Sequence, residues 1–145
     1  MNRNKIIGNV TELKVQTAFV ELGYNVSTPF GDCERYDFIA DVNGLLLRIQ
    51  CKTSISYDDG NSFDIDFRIK NHHTKQSIYT PEEIDYFATF FKDKCYLLPI
   101  NECNSKKRLR LVPIKSDQRN YVHWAKDYEL EKVINEILER QNDER

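Results

Sequence analysis

An Asn43-Gly44 pair between two apolar, β-rich runs limits this fold more than any other feature of the chain. A two-residue type I′ turn needs φ > 0 at both central positions, and Asn and Gly accept that most readily. With such a turn Val42 pairs with Leu45 and Asp37 falls opposite Gln50, their Cβ atoms roughly 4.5–5.5 Å apart. The period of two puts Lys52 on the same face, while Cys51 points away. The hairpin is therefore expected to gather an acid, an amide and an amine at one end of two strands.

The rest of the chain is read around that hairpin. Residues 8–22 predict a helix, with Asn9 as N-cap, Gly23 just past the end, and Val10, Leu13, Thr17 and Val20 as its apolar stripe, widened by Ala18 and Leu22. Glu12, three residues after Asn9, fits a plain capping box. Tyr24 to Thr28 reads as a strand broken by Pro29-Phe30-Gly31-Asp32. The turn Asp58-Asp59-Gly60-Asn61 leads into a strand in which Phe63, Ile65, Phe67 and Ile69 point inward and Asp64, Asp66 and Arg68 form a solvated face. Lys70 to Ser77 reads as a polar loop. Thr80-Pro81-Glu82-Glu83 opens a helix of one or two turns, followed by an aromatic strand, Tyr86 to Phe91. Strands over Cys95 to Ile100 and Arg108 to Pro113 follow, and Leu130, Val133, Ile134, Ile137 and Leu138 mark a last amphipathic helix. This order predicts an α+β fold, layered α/β/α around a mixed sheet. With no repeat, low-complexity segment or boundary, residues 1–145 read as one domain.

Composition narrows the class. Charged residues make up 30% of the chain and hydrophobic ones 40%, which is ordinary for a soluble globular protein. No apolar run approaches a membrane span and no secretory signal is visible, so a cytoplasmic protein is expected. Cys33, Cys51, Cys95 and Cys103 show no Cys-x-x-Cys spacing, which argues for reduced thiols and against zinc. The net charge of −2 hides a basic cluster at Lys106, Lys107, Arg108, Arg110, Lys115 and Arg119, either a grip on an anionic partner or a solvated surface.

If the first helix turns Glu12 toward the hairpin, Glu12, Asp37, Gln50 and Lys52 form one site. Two carboxylates and an amide oxygen suit a Mg²⁺ ion that keeps waters and takes substrate phosphate oxygens. A lysine beside them orients the nucleophile or stabilises charge growing on a phosphoryl group. Phosphodiester hydrolysis needs that combination, because its catalysis is mostly positioning and charge stabilisation. An ordinary cross-strand polar set at Asp37, Gln50 and Lys52 is the competing reading.

The glutamate in the first helix, Asp37 early in one strand and Gln50-Cys51-Lys52 ending the next resemble the PD-(D/E)XK nuclease superfamily. The likeness is strongest to the group I intron homing endonuclease branch, which is similar in carrying Gln at the third motif position. Gly8-Asn9-Val10-Thr11-Glu12-Leu13-Lys14-Val15 resembles that branch's opening helix. Ile84-Asp85-Tyr86-Phe87-Ala88, Cys95-Tyr96-Leu97-Leu98-Pro99-Ile100 and Ala125-Lys126-Asp127-Tyr128 resemble its later segments. Archaeal Holliday junction resolvases are similar at greater distance.

The resemblance implies a restriction-endonuclease-like core and a Mg²⁺-dependent DNA endonuclease, with Mn²⁺ as a substitute, acting as a homo-oligomer (a dimer or tetramer). It makes Glu12, Asp37 and Gln50 the metal residues and Lys52 the catalytic lysine. Tyr36 replaces the motif's Pro, and Gln50 removes one negative charge, which weakens metal affinity. Arg35, Lys70, His72, His73, Lys75, Lys106, Lys107 and Arg108 are the candidates for DNA contacts, and Gln118 and Asn120 for base reading. A junction resolvase, a catalytically weak DNA-binding module and a nuclease acting on RNA are the other expectations.

Overall fold

The computed structural model describes residues 2–57, 59–69, 78–112 and 122–144. Lys70, His72, His73 and Lys75, with Lys115, Gln118, Arg119 and Asn120, lie outside the described residues. The chain opens with helix α1 (Arg3–Glu21) and the short strand β1 (Asn25–Ser27). The hairpin β2 (Phe38–Val42) and β3 (Leu45–Cys51) follows, then β4 (Ile55–Ser56) and β5 (Ser62–Asp66). After these come β6 (Tyr86–Phe91), β7 (Lys94–Pro99), β8 (Lys106–Arg110), β9 (His123–Trp124) and helix α2 (Leu130–Asp143).

The hairpin forms as its turn residues require. Asn43 and Gly44 take φ of 53° and 91°, Val42 faces Leu45, and the Asp41 carboxylate accepts the Gly44 N–H at 2.8 Å. The register then runs back to Phe38 opposite Ile49 and stops there. Asp37 and Gln50 do not extend the ladder. The Asp37 N–H instead donates to the Ile49 carbonyl at 2.8 Å.

The main sheet has the order β1-β2-β3-β6-β7. It is mixed, because β3 and β6 run parallel while the other neighbours are antiparallel. Alternation along β2, β3 and β6 sends Phe38, Ala40, Val42, Leu47, Ile49 and Ala88 to one face, where Val15 and Phe19 of α1 and Leu130, Val133, Ile134 and Ile137 of α2 cover them. Phe87, Phe91, Tyr96 and Leu98 point to the other face and meet Phe63, Ile65, Phe67 and Leu109. Phe63, Ile65 and Leu109 belong to a second sheet, β4-β5-β8-β9, and Phe67 follows the end of β5. The α+β architecture with a mixed central sheet is as expected. Among the described residues both helices share one face, and the second face is closed by β-structure.

Two local expectations are corrected. Helix α1 starts earlier, at Asn2, whose side chain accepts the Asn4 N–H at 3.0 Å, so Asn9 is no cap and Glu12 lies in the helix interior. Its buried residues are Thr11, Val15 and Phe19, while Val10, Leu13 and Val20 face outward. The Gly23 end holds as read: Gly23, at φ 92°, donates to Val20 at 2.9 Å and Tyr24 to Phe19 at 3.1 Å, closing a Schellman end. Thr80 to Glu83 makes a single capped turn, the shorter of the lengths expected, in which Glu83 accepts the Thr80 N–H at 3.0 Å. Tyr86 and Phe87 pair with β3 at once, and that ends the turn.

Asp64 and Asp66 are also buried, at 5% and 8% exposure, instead of forming a solvated face. Asp64 accepts from Arg108 at 2.9 Å and from the Tyr57 hydroxyl, and Asp66 holds Arg68 at 2.8 Å. Strand β8 begins at Lys106, two residues before the expected start at Arg108, so Lys106, Lys107 and Arg108 all lie in a strand beside β5. The cysteines are all free thiols.

Candidate active site

The site lies where β2 begins and β3 ends, beneath the middle of α1. Asp37 stands just before β2, and its carboxylate accepts the backbone N–H of Cys51 at 2.7 Å. That carboxylate is half-buried. Burial pushes its pKa up, and the Cys51 N–H and the Lys52 ammonium pull against that push without cancelling it. Glu12 is half-buried on α1. Its carboxyl is also pushed up, first by burial and then by the Asp37 charge, while a hydrogen bond from Gln16 at 3.3 Å lowers it. The two acids therefore feel each other. With Glu12 inside the helix, no capping box accounts for it.

Lys52 follows the last residue of β3. Its backbone N–H donates to Ala88 of β6 at 2.9 Å. Its ammonium donates to the Arg68 carbonyl at 3.0 Å and lies 5.0 Å from the centre of the Tyr79 ring. Gln50 is half-buried, and its side-chain nitrogen makes a long contact, 3.5 Å, to the Cys51 carbonyl. The structure thus brings Asp37 into electrostatic range of both Glu12 and Lys52, with Gln50 two residues before Lys52 in β3.

Sequence reasoning missed Tyr79 and the Arg68 carbonyl. Tyr79 is held edge-on against Phe87 at 5.4 Å, and its hydroxyl is pushed up to about 12 by burial and by Asp37. The segment carrying it is clamped to β3. Arg48 of β3 grips Asp85 through its backbone N–H at 2.8 Å and through two side-chain contacts at 3.1 and 3.0 Å, and it also donates to the carbonyls of Pro81 and Glu82. These contacts join residues far apart in sequence, so no spacing rule could signal them.

Three of the four described DNA-contact candidates have side-chain partners inside the protein. Arg35 pairs with Glu83 at 3.3 Å, Arg108 with Asp64, and the Lys107 ammonium sits 5.3 Å from the Tyr128 ring centre. Lys106 is exposed, opposite Asp66.

Among the described residues no group of three or more His, Cys, Asp or Glu is placed to hold a metal ion. The candidate donor set contains two such residues, and its third member is an amide. That chemistry fits a hard divalent ion. Two half-buried carboxylates, of which Asp37 raises the proton affinity of Glu12, are stabilised by a cation between them, and oxygen donors are what Mg²⁺ takes.

A helix-backed mixed sheet with an acid, a hairpin and a lysine at one end defines a nuclease-like α+β fold. The chain belongs to the PD-(D/E)XK endonuclease family, whose pattern it matches over residues 2–131. It is also similar to the solved structure of a bacterial homing endonuclease, I-Ssp6803I, at 22% identity and a TM-score of 0.72, over 98% of this chain and 97% of that one. None of the curated proteins matches it.

Proposed function

We propose that this chain is a Mg²⁺-dependent DNA endonuclease, one nuclease domain over residues 1–145, with Mn²⁺ able to substitute. The observation that carries the reading is the Asp37 carboxylate, fixed at the open end of the hairpin by the Cys51 N–H, where its charge acts on Glu12 of α1 and on Lys52. Glu12 and Asp37 are the metal ligands, and the Gln50 amide adds a neutral oxygen. The bound ion supplies Lewis-acid polarisation of the phosphoryl oxygens and a lowered pKa for water.

The chain's own residues do the positioning. Asp37 is fixed by the Cys51 N–H, so its free oxygen keeps one direction. Lys52, held between the Arg68 carbonyl and the Tyr79 ring, presents its ammonium where charge grows on the phosphorus oxygens. Family membership and the likeness to a homing endonuclease support a site-specific enzyme that acts on duplex DNA. Two strands need two cuts, which favours a homo-oligomer, a dimer or tetramer. A cytoplasmic location accords with the free cysteines.

The test is digestion of linear duplex, four-way-junction DNA and RNA with Mg²⁺, with EDTA as control. Cleavage of DNA that EDTA stops, and that Lys52→Ala abolishes without unfolding the chain, is expected. Equal cleavage by Lys52→Ala overturns the mechanism. Preference for the junction moves the assignment to a resolvase. Gln50 favours a second reading, a weak or inactive DNA-binding module, because the site lacks a third acid. Salt-sensitive DNA binding without cleavage in either ion establishes that alternative.

A further inference from the structure

We propose that the outward face of α1 is a self-association surface, on which a second copy of this chain packs its own α1 antiparallel with Leu13 at the two-fold axis. The proposal rests on the homo-oligomer reading above and adds the surface and its geometry.

Helix α1 is apolar on two opposite faces. Thr11, Val15 and Phe19 are buried against the sheet. Ile6, Val10, Leu13 and Val20 face away from it, exposed at 41%, 44%, 64% and 54%. With Thr17 they recur at alternating steps of four and three residues, the spacing of a helix-pairing seam. A helix of 19 residues carries that seam over about 28 Å. A groove of about 440 Å³ runs beside it, lined by Val10, Leu13, Lys14, Thr17, Phe90 and Asp93 among others, and widens the surface a partner can cover.

The charges on the flanks select the occupant. Arg3 and Glu21 lie at opposite ends of α1, five helical turns apart, and so on the same flank of the seam. An antiparallel copy sets each Arg3 beside the partner's Glu21, twice by symmetry, against one Lys14 pair near the axis whose ammonium lies over Phe90 of its own chain, 5.4 Å from the ring centre; a parallel copy gathers both arginines at one end and both glutamates at the other. On the other flank Asn9 and Gln16, two turns apart, come opposite each other in the same arrangement. The seam then matches itself: Ile6 meets the partner's Val20, Val10 the partner's Thr17, and Leu13 its own copy. Glu12 points about 100° around the helix from Leu13, so the partner leaves the carboxylate facing the hairpin.

The test measures mass by light scattering and sedimentation on the full chain, without DNA and with EDTA, so it is independent of metal and cleavage. Wild type is expected at a multiple of the 17.2 kDa chain mass. Leu13→Glu is expected to weaken association by about 100-fold, because two carboxylates then meet at the axis, with an unchanged circular dichroism spectrum. Leu13→Cys in a Cys33→Ser background is expected to give a covalent dimer when diamide oxidises the two facing thiols to a disulfide. An oligomeric wild type whose mass Leu13→Glu leaves unchanged, with no Leu13→Cys cross-link, overturns the surface and keeps the oligomer. A wild type that stays monomeric at every concentration overturns both. If Leu13→Glu misfolds, the cross-link decides.

Discussion

The Asp37 carboxylate accepts the Cys51 backbone N–H at 2.7 Å, tying β2 to β3 at the end where Lys52 leaves the sheet. One oxygen of the candidate metal ligand is thus already engaged in holding the hairpin together. Asp37→Asn keeps an acceptor for that N–H and removes the charge. Cleavage is expected to fall by about 100-fold or more while stability changes by no more than about 1 kcal/mol. Kinetic assays beside thermal melts check both halves, and a melt collapse without an activity loss contradicts the division of roles.

Tyr79 is expected to act through Lys52. Its ring lies 5.0 Å from the ammonium, a contact worth about 0.5–2 kcal/mol. Tyr79→Ala should lower the cleavage rate by up to about 10-fold, and Tyr79→Phe should restore it, because the ring and not the hydroxyl makes the contact. A Phe variant as impaired as the Ala variant assigns the role to the hydroxyl instead.

The Asp64–Arg108 pair should give stability a definite pH dependence. Burial pushes the Asp64 carboxyl up, but hydrogen bonds from Arg108 and Tyr57 outweigh that and hold it below its ordinary value. A lowered folded pKa means stability fully present above the unfolded value of about 3.9 and lost as pH falls through the folded one. Melting temperatures of wild type and Asp64→Asn should differ at pH 7 and converge below about pH 4. Arg108→Ala leaves a 5%-exposed carboxylate without its cation, and should cost about 1–3 kcal/mol at pH 7.

Gly44→Ala tests the hairpin turn. Nothing lies within 4 Å of the added methyl, so the cost is backbone strain at φ 91° alone, about 1–2 kcal/mol. Denaturant melts should show that loss, and cleavage per folded molecule should stay unchanged.

What the chain determined by itself is local. Turn chemistry at Asn43-Gly44 needs only two residues, and it set the pairing from Val42–Leu45 to Phe38–Ile49 and with it the neighbourhood of Asp37 and Lys52. The glycine end of α1, the aromatic strand at Tyr86–Phe91 and the apolar face of α2 were legible for the same reason: each follows from a φ preference or a period.

Tertiary structure decided which of two apolar faces of α1 went inside. Periodicity marks Val10, Leu13 and Val20 as a stripe but cannot say whether the sheet or a partner covers it, and the edge-on contact of Phe19 with Phe38 at 5.6 Å fixed the helix the other way round. It likewise buried Asp64 by supplying Arg108 from β8, and placed Tyr79 over Lys52 through the Arg48–Asp85 clamp. Those outcomes depend on contacts between residues distant in the chain, and a sequence pattern records the preference of a segment, not the identity of what it will meet.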